Sequence, residues 1–131
     1  MDFSSTHADH EAWLVVLGAS FHMTHREWFC EYERYDGGDV FLGDDSTTKI
    51  IGQGKIKLRF IDGRIRTLSG VLHIPGLARN LIFVSKMDDA GVKTIFEKET
   101  CRMVRGAMVL LKGVQFGNIY EMQGIDRKSV V

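Results

Sequence analysis

Two histidine pairs, His7 with His10 and His22 with His25, are each spaced by three and are followed by Cys30, so the chain carries the ligand types that zinc accepts. A structural zinc site pairs two ligand knuckles, whereas this set offers one lone cysteine and a pair in the N-terminal stretch, so no metal site is assigned. Asp36, Asp39, Asp44 and Asp45 could serve proton transfer if two of them shared a proton. All four fall in Gly-rich or turn-like stretches where aspartate is common for turn chemistry. His22 is expected instead to pack or hydrogen-bond beside the loop that precedes it.

The elements that would position such groups are mostly β. Fourteen glycines and one proline separate short apolar runs, several of which alternate apolar with polar residues. Trp13 to Leu17 is a continuous apolar run that ends at Gly18, the pattern of a buried central strand feeding a loop. Thr24 and Glu27 have capping-box spacing, which predicts a short helical turn carrying Trp28, Phe29 and Tyr32 on one face. Asp39 to Gly52 reads as a hairpin turning at Gly43-Asp44-Asp45-Ser46, able to project as a flap. Ile56, Leu58 and Phe60 alternate with Lys55, Lys57 and Arg59, a solvated face, before a second hairpin turn at Asp62-Gly63.

The return strand runs through Ile65 and Leu68, and a further strand, Val71 to Ile74, ends at Pro75-Gly76. Asn80 as N-cap and Gly91 as the residue after the helix bound one short helix, about residues 80–91. Val92–Phe96, Cys101–Val104, Met108–Leu111 and Ile119–Met122 are short strand candidates. The chain divides into a flexible N-terminal segment (1–10), one domain (11–122) and a C-terminal tail (123–131).

Composition excludes several classes. With 131 residues and 44% hydrophobic content, one domain with a single sizeable core is expected. Seventeen basic residues balance seventeen acidic ones, so no basic field exists to gather nucleic acid. Trp28, Phe29, Tyr32 and Tyr35 lack the interleaved basic stripe of a base-stacking surface and are assigned to core packing. Met103, Met108 and Met122 are assigned to gap filling. Cys30 and Cys101 are too few for a disulfide framework and are read as small buried hydrophobes in a reducing, cytoplasmic setting. The start lacks a signal-peptide pattern, and no apolar run reaches the length of a membrane span.

Trp13-Leu14, Gly18-Ala19-Ser20-Phe21-His22-Met23-Thr24, Gly43-Asp44-Asp45, Gly52-Gln53-Gly54, Val71 to Leu77, Asn80-Leu81-Ile82 and Val84-Ser85-Lys86-Met87 occur in that order. Together, over about residues 11–122, they resemble the protease region of copia-type retrotransposon Gag-Pol polyproteins, a retropepsin-like family. The resemblance implies a small closed β-barrel that works as a homodimer, each copy lending one Asp to a shared peptide-hydrolysing site beneath hairpin flaps. It implies no cofactor and no metal, a Gag-Pol polyprotein as substrate, and neither nucleic acid nor membrane as partner of this domain.

In that alignment Val16 stands where the catalytic Asp belongs and Leu17 where a Ser belongs, with Gly18, Ala19 and Ser20 retained. Phe83 stands where the family often has Ser. A valine can neither take up nor deliver a proton, so the catalytic set is expected to be empty and the chain to be an inactive copy. Gly43, Asp44, Asp45 and Ser46 are the expected flap and substrate-binding residues. The alternative is a peptide-binding or assembly module using the same barrel and flap.

Overall fold

A computed structural model describes residues 12–16, 21–41, 47–77, 79–117 and 119–125. Its elements are β1 (Trp13–Val16), β2 (Met23–Thr24), a single 3-10 turn (Arg26–Trp28), β3 (Phe29–Phe41), β4 (Thr47–Arg59) and β5 (Ile65–His73). They continue as β6 (Asn80–Phe83), α1 (Val84–Asp89), β7 (Lys93–Phe96), β8 (Thr100–Arg105), β9 (Met108–Phe116) and β10 (Ile119–Gln123). All ten strands join one sheet in the order β3-β4-β5-β2-β6-β1-β10-β9-β8-β7. The expectation of a mostly β chain with one short helix is met.

β1 sits between β6, to which it is parallel, and β10, to which it is antiparallel. Its residues alternate between two apolar clusters: Trp13 and Val15 enter one, Leu14 and Val16 the other. Every residue of the strand is buried, which is why the sequence reads as an uninterrupted apolar run rather than an alternation. β6 divides the same way, with Ile82 facing the first cluster and Leu81 and Phe83 the second. Trp28 carries the 3-10 turn into the first cluster, its ring edge-on to Trp13 at 5.2 Å between centroids.

The turn at Asp62-Gly63 is built as the sequence predicts. Gly63 takes φ +81°, Asp62 Oδ1 accepts the Arg64 N–H at 3.0 Å, and β4 and β5 pair down to Arg59 opposite Ile65. Arg66 donates to Asp62 at 2.6 Å, and that bond, with the Arg64 amide, holds the carboxyl below its ordinary range. The return segment is one strand to His73 rather than two, because Gly70 at φ +66° and a register shift opposite Gly54–Ile56 take up the irregularity within a continuous ladder.

The sheet curls but is not closed by a ladder. β3 and β7 are its two ends among the described residues. The tip of the β4–β5 hairpin reaches β9 through the Ile61 N–H to Leu110 carbonyl bond at 3.1 Å and an Arg66 contact to Met108 Sδ at 3.4 Å. The first cluster therefore gathers Ile56, Leu58 and Phe60 from one end of the sheet with Met103, Leu110 and Leu111 from the other. Among the described residues no ladder joins β3 to β7, so the closed barrel expected from the sequence is not formed.

Two helix readings are corrected. Asn80 to Phe83 form the buried strand β6, and the helix starts only at Val84. Asn80 does not cap it: its amide accepts the Thr24 hydroxyl at 2.6 Å and donates to the Ala12 carbonyl at 3.3 Å, tying β6 to β2 and to the entry of β1. The predicted stop is right. Gly91 at φ +81° bonds Asp88, and Val92 bonds Met87 at 2.9 Å, the paired hydrogen bonds of a Schellman end whose two apolar partners, Val92 and Met87, are both in the first cluster. The helical turn expected after Thr24 is a single 3-10 turn without a side-chain cap, because Thr24 spends its hydroxyl on Asn80 and Phe29 already enters β3.

Candidate functional site

β3 and β4 are each 13 residues long, but β4 pairs with β5 only from Gly52, opposite His73, onward. Beyond that level residues 38–41 and 47–50 pair only with each other, as a two-stranded arm. At its root β3 bulges: Arg34 opposes Gly52 and Gly38 opposes Ile50, so β3 carries more residues than β4 between the two pairs. The arm is laid over the second apolar cluster, which Ile50 joins and Val40 packs against. Gly76 allows the approach, since a Cβ there would lie 2.9 Å from Thr48 Oγ1.

Between the arm and the sheet lies a cavity of about 280 Å³. Phe21, Met23 and Leu72 line it from the sheet side, and Tyr35, Gly37, Ile50 and Gln53 from the arm and its root. This is the cleft that the predicted flap would cover. Gly43, Asp44, Asp45 and Ser46, the expected flap residues, lie outside the described residues, as do Leu17, Gly18, Ala19 and Ser20.

Val16 is the last residue of β1 and is 5% exposed. It pairs across the parallel ladder with Phe83. Leu14, Met23, Leu72, Leu81, Phe83, Ile119 and the arm's Ile50 belong to the same cluster. Two of the three apolar departures noted in the sequence thus stand side by side in the sheet, within a cluster whose described members are all apolar.

His22 follows the undescribed loop and is 1% exposed. Its Nδ1 accepts the Phe83 N–H at 3.1 Å, which fixes the neutral ring with its proton on Nε2. Burial, with the Lys86 ammonium adding to it, pushes His22 down to about 4. Lys86 Nζ stands 5.7 Å from the Phe21 ring. What His22 holds is the β6 backbone next to Val16.

The remaining candidates are dispersed. Asp36 is exposed and accepts the Gly38 N–H at 3.4 Å, a turn role, and Asp39 is exposed on the arm. Cys30 is exposed, not a buried hydrophobe; its thiol contacts the Lys55 carbonyl at 3.4 Å because β3 turns it to the outer face. Cys101 is buried against Met122, and burial pushes its thiol up to about 11. Tyr35 and Met108 are also exposed, against their expected place in the core. His7 and His10 lie outside the described residues, and among those described no group of three or more His, Cys, Asp or Glu gathers.

One cluster escaped the sequence reading. At the arm's root the Tyr32 hydroxyl bonds His73 Nδ1 at 2.8 Å, the Phe29 and His73 rings meet edge-on at 6.0 Å, and the Arg26 guanidinium sits 4.0 Å over the Tyr32 ring. His25 bonds the Leu77 carbonyl alongside. Tyr32 was read as core and His73 as an ordinary strand residue. Gly52 was the available signal, since a Cβ there would meet Tyr32 Oη at 2.2 Å.

Fold and site define a strand-rich domain with a hairpin arm over an apolar cleft. Residues 13–92 match the family described as Pol polyprotein, beta-barrel domain, and the chain belongs to that family. The Retrovirus-related Pol polyprotein from transposon TNT 1-94 of Nicotiana tabacum is 37% identical over 109 residues, covering 82% of this chain. This chain spans only 8% of that relative's length. The resemblance to copia-type retrotransposon Pol proteins is thereby borne out. No solved structure matches the chain.

Proposed function

We propose that this chain is a retropepsin-like domain of a retrotransposon Pol polyprotein that keeps the cleft and the flap-like arm but does not cleave peptides. The observation that carries this reading is the Val16–Phe83 pair inside the second apolar cluster. Acid–base hydrolysis needs one carboxylate at that position from each of two copies, the pair sharing one proton. A valine packed on a phenylalanine supplies neither charge nor proton, and Asp36 and Asp39 are turned outward on the arm. The ligand class is an extended segment of the polyprotein, held between the arm and the Phe21–Met23 segment, in the cytoplasm where such particles assemble. Closure of the curled sheet into a full barrel and pairing of two copies belong to the same reading.

The test is cleavage of Gag-like peptides by the purified chain, with and without pepstatin. No turnover is expected, and pepstatin-sensitive turnover refutes the reading. In the companion experiment, Val16→Asp with Leu17→Ser restores activity if the rest of the site survives. The second reading, a binding module, is favoured by the arm remaining seated on the cluster through Val40 and Ile50 with no chemistry to cover. Micromolar binding of such peptides without cleavage supports it, and absence of binding counts against it.

A further inference from the structure

Besides its apolar seat on the second cluster, the arm is tied to the sheet at its root, where the groups are polar and titratable. β4 loses β5 as a partner beyond Gly52, β3 bulges between Arg34 and Gly38, and Gly38 takes φ +87°, so the backbone around 35–38 can absorb a change of angle. Tyr32, on the last fully paired stretch of β3, reaches over Gly52 to His73 on β5. A methyl group at 52 would occupy the place of the Tyr32 hydroxyl.

We infer that Tyr32, His73 and Arg26 form a latch that sets the position of the arm over the cleft and loosens when His73 is protonated. Tyr32 and His73 act here as positioning residues, since neither lines the cavity. That the latch governs ligand access rests on the proposed function. That it governs the arm does not.

The Tyr32 hydroxyl can donate to His73 Nδ1 or accept from it, according to the tautomer of the neutral ring. Protonation puts a hydrogen on both ring nitrogens, so the hydroxyl can then only accept. It also places a cation among the groups that face His73: His25, Arg26 and Glu27 from the 3-10 turn segment and Tyr32 from β3. Only Glu27 favours the charge. Burial first, then His25 and Arg26, hold His73 below its ordinary value of 6.5. A histidine with a lowered folded pKa contributes stability that is present above the unfolded value and is lost as pH falls below about 6.5. The arm is therefore latched at neutral pH and freer in acid.

The experiment is residue-resolved amide exchange by NMR on the whole chain without peptide, near pH 7 and near pH 5.5. Each arm amide at 38–41 and 47–50 is corrected for intrinsic rate and compared with Leu110 and Leu111 of the core. Tyr32→Phe keeps the ring and removes the hydroxyl; arm exchange at pH 7 should rise about fivefold, the equivalent of one ordinary hydrogen bond, with core rates unchanged. In the native chain acidification should speed the arm selectively, and in His73→Gln, which keeps an acceptor but cannot titrate in this range, that response should vanish. Arm rates unmoved by Tyr32→Phe, or an acid response retained in His73→Gln, would overturn the latch while leaving the non-catalytic reading of the cleft untouched. Should either variant fold poorly, Gly52→Ala, which displaces the Tyr32 hydroxyl from β4, gives the same readout.

Discussion

Placing an acid back at position 16 tests the central argument most directly. Val16 is 5% exposed, and Phe83 lies opposite it within a cluster of Leu14, Leu72, Leu81 and Ile119. A carboxyl put there in one chain has no cationic or donor partner among the described members of that cluster, and desolvation disfavours its charged form. Full burial raises a carboxyl pKa by up to roughly 3–5 units at about 1.36 kcal/mol per unit, so the ionised form would cost up to about 4–7 kcal/mol of folding stability.

The sign follows from linkage. The folded state then binds a proton that the unfolded state has released, so stability falls as pH rises from about 3.9 toward the raised folded value. Val16→Asn, polar and of similar size but unable to ionise, supplies the reference. Urea unfolding near pH 4.5 should find the Asp and Asn variants similar, whereas near pH 8 the Asp variant should be several kcal/mol weaker. If the two variants track each other at both pH values, position 16 is open to water or to a partner, and the apolar-cluster argument fails. A gap that shrinks as protein concentration rises would place a second copy against it.

Other outcomes follow from the same packing. His22 should stay neutral in the folded chain down to about 4, and, because its unfolded value lies near 6.5, roughly 3 kcal/mol of stability should drain away as pH falls across that interval; an imidazole NMR titration of His22 near 6.5 would refute it. Asn80→Ala strands the buried Thr24 hydroxyl and the Ala12 carbonyl and should cost about 2–4 kcal/mol in urea unfolding; a loss below about 0.5 kcal/mol would show that water replaces both bonds. Alkylation at pH 8 should label Cys30 quickly and spare Cys101 until the chain unfolds, as mass spectrometry would reveal.

How far the sequence discloses this molecule depends on whether a signal is local. The Asp62-Gly63 hairpin and the stop at Gly91 are legible because each rests on a glycine at positive φ that a short window can recognise. The β1 strand is legible because burial on both faces leaves a continuous apolar run. Asn80 and Thr24 misled for the opposite reason. Both have the residue types of helix caps, yet their partners are each other, 56 residues apart, and nothing within a local window distinguishes that use. The Tyr32–His73 bond, across 41 residues, is hidden in the same way, and Cys30 and Tyr35 needed the sense of the β3 pleat to be placed outside. The reading of position 16 as a catalytic position rests on resemblance alone, because an absent aspartate leaves no chemical trace of its own.

The register also bears on why position 16 carries no acid. An acid at 16 would be tolerable in such a sheet only with polar neighbours or with a second copy bringing its own carboxyl, because an isolated charge in this cluster is costly. The residue across the ladder is Phe83, where a hydroxyl would be the simplest polar neighbour, and the arm's Ile50 joins the same cluster. Val16 and Phe83 thus complete one continuous apolar surface on which the arm rests, so that position 16 serves packing where a protease would need a proton carrier. On this view Val16→Asp alone meets a hostile environment, which Phe83→Ser beside it should ease. Comparing Val16→Asp/Leu17→Ser with the triple variant decides the matter: higher stability near pH 8 in the triple variant supports a concerted loss, and equal or lower stability shows that Phe83 was not part of it.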